Sequence, residues 1–136
     1  MNTAIELMMD LARMEHMIWV VGGTSVVSEN NSDGMKEPEI ENGYISLEAT
    51  NWHCHIAMDE VTNAQFVLAQ AHPDLVSYYV RFSRGYDKTL IRCYFPNPCL
   101  NDNHERVEFQ QDKLDIFEDK KNRYVNENDI VFVDRT

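Results

Sequence analysis

Apolar residues recur every three or four positions from Ala4 to Met17, where Ile5, Met8, Met9, Ala12 and Met17 are set among Glu6, Asp10 and Glu15. That period predicts an amphipathic helix over 4–17. Beyond it the period shortens. Ile18-Trp19-Val20-Val21 and Ser25-Val26-Val27 flank Gly22-Gly23-Thr24, a β-rich pair of runs around a Gly-Gly dipeptide, which predicts a hairpin. Asn30 to Asn42 carries Asn, Ser, Asp, Gly, Pro and charged residues with almost nothing apolar, so it cannot offset its own ordering entropy and reads as a mobile surface loop.

Strand patterns then follow one another. Tyr44 to Glu48 and Trp52 to Ile56 are short strands joined at 49–51, and Ala64 to Ala71, Val76 to Phe82 and Thr89 to Phe95 are separated by turn residues at 72–74 and 83–88. The succession predicts a meander. Its last two strands carry aromatic or branched residues on both faces, which calls for cover on both. Pro96 and Pro98 end the ladder by removing backbone donors. After Asn101-Asp102-Asn103, a capping sequence, Val107, Leu114, Phe117 and Tyr124 recur near helical spacing and predict a second helix over 104–123. The run Asp129 to Val133 predicts a late edge strand.

Length and charge narrow the function classes. The 136 residues suit one domain spanning 1–136, and 43% hydrophobic residues are enough for a core without disulfides. Lys and Arg number 12 against 23 Asp and Glu, a net charge of −11 that repels nucleic-acid phosphates and anionic membrane surfaces. No apolar run approaches the roughly 18 residues of a membrane span. The first ten residues include Glu6 and Asp10 and do not read as a secretory signal. Cys54, Cys93 and Cys99 form neither a disulfide framework nor a zinc motif, which points to a reducing cytoplasm.

The segment richest in chemistry is Trp52-His53-Cys54-His55-Ile56. On a strand, His53 and His55 share one face, about 7 Å apart, while Trp52, Cys54 and Ile56 take the other. Two imidazoles so placed can serve a metal or haem iron, and an equally simple reading makes them ordinary sheet histidines. Cys54 cannot be activated by either neighbour, because adjacent strand residues face opposite ways. The acidic residues of the second helix read as a solvated face, and no phosphate loop, GxSxG elbow or HExxH motif is present. No catalytic set emerges.

Gly43-Tyr44-Ile45-Ser46-Leu47, His55-Ile56, the strand entry Val61 to Val67, Val76 to Phe82, Leu90 to Phe95 and the acidic C-terminal helix together resemble the ChuX/HutX-like intracellular haem-utilisation proteins, related to single repeats of HemS/ChuS proteins. The resemblance covers roughly Ile18 to Phe117. It implies an α+β fold with a large antiparallel sheet between an N-terminal and a C-terminal helix, often a homodimer. It also gives His55 the position of a proposed haem-iron contact. Some members place a second histidine on the early hairpin, but this chain has none between Met17 and Ala49, and strand geometry offers His53 instead.

The expected function is a non-enzymatic cytoplasmic haem or tetrapyrrole binder for haem storage, trafficking or iron utilisation. In it His55 meets the iron, some of Trp52, Tyr78, Tyr79, Phe82 and Tyr94 line the cleft, and Arg81 or Arg92 meets the propionates. The alternatives are a dimeric interaction module of the same fold without ligand and, third, a haem-modifying enzyme.

Overall fold

The computed structural model describes residues 2–23, 25–127 and 130–136. The Asn2 side-chain oxygen accepts the Ile5 backbone N–H at 2.9 Å and starts helix α1, Thr3–Ala12. One face of α1 buries Ile5, Leu7, Met8 and Leu11 almost completely. The helix ends five residues before the periodicity does. Arg13 closes it by donating its N–H to the Asp10 carbonyl, and His16 takes the left-handed conformation at φ 61°. Met17, which completes the apolar period, is buried at the entry to the first strand, where its N–H donates to Ser32 Oγ at 3.0 Å.

The strands are β1 Ile18–Val21, β2 Ser28–Asn31, β3 Glu39–Glu41, β4 Tyr44–Glu48, β5 His53–Ala57, β6 Asn63–His72, β7 Leu75–Arg84, β8 Lys88–Tyr94 and β9 Ile130–Arg135, with helix α2, Gln111–Tyr124, before the last. They form two sheets. The six-stranded one has the order β2-β1-β8-β7-β6-β9, and the three-stranded one has the order β3-β4-β5. All pairings are antiparallel except β6 with β9, which is parallel. The fold is thus α+β with a large, mostly antiparallel sheet. Only β6, β7 and β8 make an uninterrupted meander, because β1 occupies the edge of β8 and leaves β4 and β5 to pair with β3.

Alternation assigns the two faces of the large sheet. The cross-strand row Trp19, Cys93, Val80, Phe66 faces a core shared with α1, with Ile45 and Leu47 of β4, and with Phe117 of α2. Trp19, Phe66, Phe82 and Phe117 are among its fully buried side chains. Each contributes on the order of 1.5–3 kcal/mol by leaving water. The opposite face carries the rows Val20, Arg92, Arg81, Gln65, Val131 and Ile18, Tyr94, Tyr79, Val67, Val133. Val20, Val67 and Tyr79 are buried there without joining the main core.

Several predicted boundaries move, each for a local reason. The second hairpin strand is 28–31 rather than 25–27, because Gly22, at φ 98°, donates its N–H to the Leu90 carbonyl and widens the connection; Val26 is left exposed, and Thr24 lies outside the described residues. The segment 30–42, expected to lack regular structure, contains the end of β2 and all of β3. Its backbone is tied by Thr50 N–H to the Asp33 carbonyl and Lys36 N–H to the Glu48 carbonyl, and Ser32 is buried. The second helix begins at 111 rather than 104. Asn101 Oδ1 accepts the backbone N–H groups of Asn103 and Glu105 and so closes a turn instead of capping a helix, and His104 adopts φ 61°. The late strand is present at the sheet edge over 130–135; Asp129, its expected first residue, lies outside the described residues.

Candidate functional site

The three-stranded sheet turns one face to the core and the other to solvent. Cys54 and Ile56 pack against the core, whereas His53 and His55 alternate with them and are exposed, as strand period requires. Ser46 on β4 stands opposite His55, and Glu48 stands opposite His53. The imidazole rings meet edge to face with centroids 5.6 Å apart. Ser46 Oγ lies 2.7 Å from His55 Nδ1. With Nδ1–H donating to that hydroxyl, the lone pair of the neutral ring resides on Nε2, the tautomer that ligates iron through Nε2. Glu48 forms an ion pair with Lys36, whose hydrogen bond and charge, aided by the two histidines, hold its carboxyl below the usual range. Glu41, Asn42, Tyr44, Ser46 and His55 line an open depression of about 470 Å³ on this face.

A second concavity, a cleft of about 410 Å³, lies on the other sheet. Ile18, Val20, Tyr78, Tyr94 and Phe95 supply its apolar surface, and His16 and His104 border it. Burial raises the phenol pKa of both tyrosines, so both rings are neutral at ordinary pH.

The residues expected in one cleft are therefore divided among three places. His53 and His55 share the exposed face of the small sheet. Tyr78 and Tyr94 line the cleft of the large sheet, with Tyr79 behind Tyr94 at a ring separation of 4.6 Å. Phe82 is wholly in the core, and Trp52 packs against that core and donates its indole N–H to the Asn31 carbonyl at 2.6 Å. Arg81 is 7% exposed and donates to Thr89 Oγ1 at 2.5 Å and to the Tyr86 carbonyl at 3.0 Å; desolvation lowers its pKa. Arg92 donates to the Tyr94 hydroxyl at 3.0 Å. Neither arginine lines the depression at His55. Arg81 Nη1, Arg92 Nε and the neighbouring Gln65 Oε1 are buried without a partner, in one cross-strand row.

Burial pushes the Cys54 thiol up to about 11, so it is protonated and unreactive at neutral pH. Among the described residues no three His, Cys, Asp or Glu side chains are placed to hold a metal ion. A haem iron needs only one or two axial nitrogens, and the exposed, serine-supported imidazole of His55 fits that requirement. His16 and His104 were not singled out from the sequence. Each lies in a polar turn with no periodicity, and the shared signal is the left-handed backbone, which histidine adopts more readily than most residues.

A family model matches residues 5–126 of the chain. No curated protein sequence matches it. Among solved structures, the chain is similar to a crystal structure of ChuX, with TM-score 0.66, 10% identity, and 88% of this chain covering 71% of that one. It is similar to a protein from Agrobacterium tumefaciens, with TM-score 0.67, 15% identity and coverage of 89% and 67%. It is also similar to a structure described as the haem-binding protein ChuX, with TM-score 0.64, 11% identity and coverage of 86% and 70%. At such identities the shared property is the fold.

Proposed function

The chain belongs to the ChuX-like family, and on that footing we propose that it binds haem or a related tetrapyrrole, with His55 as the iron contact. The observation that carries this reading is the Ser46–His55 pair, which leaves a neutral imidazole nitrogen free on an exposed sheet face above an open depression. Haem, when bound, supplies a Lewis-acidic iron and a broad apolar disc. His55 holds the iron, Ser46 orients the ring, and Tyr44, on the same face and half exposed, offers an aromatic surface to the macrocycle. His53, at 5.6 Å, is the adjacent imidazole and not an equal substitute, because no serine stands opposite it. Arg81 and Arg92 take no part in carboxylate recognition at this face.

The depression alone is too open to exclude water from a haem, so the reading includes a homodimer that supplies further cover. The second face of the large sheet, where Val20, Val67 and Tyr79 form a buried layer apart from the main core, supports association of two copies. A cytoplasmic location accords with the three cysteines, which are free thiols. Roles in storage, trafficking or iron utilisation follow from reversible binding without turnover.

Titration of the purified protein with haemin tests the proposal. A sharp Soret band saturating at one equivalent per chain supports it. Featureless broadening refutes it and favours a dimeric interaction module of the same fold; consumption of haem on adding reductant and oxygen favours an enzyme.

A further inference from the structure

The cleft on the six-stranded sheet has no role in the haem reading and shares no lining residue with the depression at His55. Its size, about 410 Å³, is that of a small-molecule site. Its floor is apolar and aromatic, built from Ile18 and Val20 of β1 and from Tyr94 of β8.

The charge around that floor is one-sided. Glu29, Asp33 and Asp102 border the cleft, and Lys113 is its ammonium group. Lys113 is already engaged: its Nζ donates to the Leu100 carbonyl at 2.8 Å and lies 3.8 Å from Asp102. Glu29 and Asp33 have no basic partner among the described residues. Glu29 stands opposite Val20 in the β1–β2 pair and Asp33 follows the end of β2, so both carboxylates lie along one rim. Two unpaired carboxylates beside neutral aromatic faces repel an anion and attract a cation, both through their own charge and through the π-faces of the tyrosines. A bare metal ion is not the match, since no three ligating side chains converge here among the described residues.

We propose that this cleft binds a protonated organic amine with a flat apolar or aromatic body. The ammonium group lies toward Glu29 and Asp33, and the body covers Ile18, Val20 and Tyr94.

Calorimetric titration with tryptamine and, separately, with indole-3-propionate tests this, because the two probes share a ring and differ in the sign of their charge. Tryptamine should bind at least about tenfold more tightly than indole-3-propionate. In the double variant Glu29→Gln/Asp33→Asn that preference should fall to less than about threefold, with thermal unfolding unchanged because both side chains are exposed. A Ser77→Trp variant, which fills the cleft from its floor, should lose tryptamine binding altogether. The proposal is overturned if tryptamine fails to bind, if indole-3-propionate binds as well or better, if the double variant keeps the full preference, or if tryptamine binding survives in a folded Ser77→Trp protein.

Discussion

Helix α2 is held to the sheets chiefly by one ring. Of its residues only Phe117 and Tyr124 are buried. Phe117 sits at 1% exposure among Phe95, Tyr78 and Phe66, with centroid distances of 5.2, 5.4 and 5.7 Å and edge-to-face geometry at each. Phe117→Ala removes the ring from a site whose walls belong to β6, β7 and the segment after β8 and cannot all close inward. Large-to-small changes of this kind cost roughly 3–5 kcal/mol. Three aromatic contacts, each worth about 0.5–1.5 kcal/mol beyond area, place the expected loss in the upper part of that range, near 4 kcal/mol. Total stability for a domain of this kind is about 5–15 kcal/mol, so the variant retains a fold but a weak one. In urea, with a slope of about 2 kcal/mol per molar, the midpoint should fall by about 2 M. Circular dichroism across a urea series reads this directly, and Leu114→Ala, on the same helix and half-buried, should cost less than half as much. A Phe117→Ala loss under about 1.5 kcal/mol would refute the reasoning, because α2 would then not depend on that ring.

Other outcomes follow from single contacts. Gly34 has φ 69°, and a Cβ added there would meet Thr50 Oγ1 at 2.0 Å, so Gly34→Ala should destabilise by more than about 1 kcal/mol by urea unfolding, whereas a freely mobile 30–42 segment would make it neutral. Burial, and then the hydrogen bond to Asp10, pushes the Tyr124 phenol up to about 12. Its folded-state pKa lies above the unfolded value, so its stabilising contribution is complete below pH 10 and is lost as pH rises toward 12. Ultraviolet absorbance titration should show one late-ionising tyrosine that disappears in Tyr124→Phe. Light scattering should give twice the chain mass; a monomer at every concentration would leave the second face of the large sheet without its proposed partner.

The legible parts of the sequence were those in which side-chain period and burial agree. Strands β4, β7 and β8 announce themselves through alternation or aromatic runs, and the shared face of His53 and His55 follows from two-residue strand period alone. The first helix was readable except at its end, where Met17 keeps the helical period yet is buried from a turn. The strand Glu39–Glu41 was not readable, because Glu-Ile-Glu is polar on both flanks and its order comes from backbone pairing with Tyr44–Ser46. Asn101 misled because the same side-chain acceptor that caps helices also closes turns. The division of the expected site residues between two sheets was beyond local pattern, since nothing in the spacing of Trp52, Tyr78 and Arg92 says that β5 leaves the sheet that β7 and β8 share. The cleft joins His16, Glu29, Tyr94 and His104, residues far apart in the chain that only the tertiary fold brings together.

The central claim is that His55 is the iron contact, and the most direct measurement is haemin titration of wild type, His55→Ala and His53→Ala side by side, followed by the Soret band. His55→Ala should shift the band and weaken binding by at least about tenfold while remaining folded, because it removes the one imidazole whose free nitrogen is set by a serine. His53→Ala should keep a band close to that of wild type. A wild-type spectrum and affinity in His55→Ala would contradict the account and move the iron contact to another side chain.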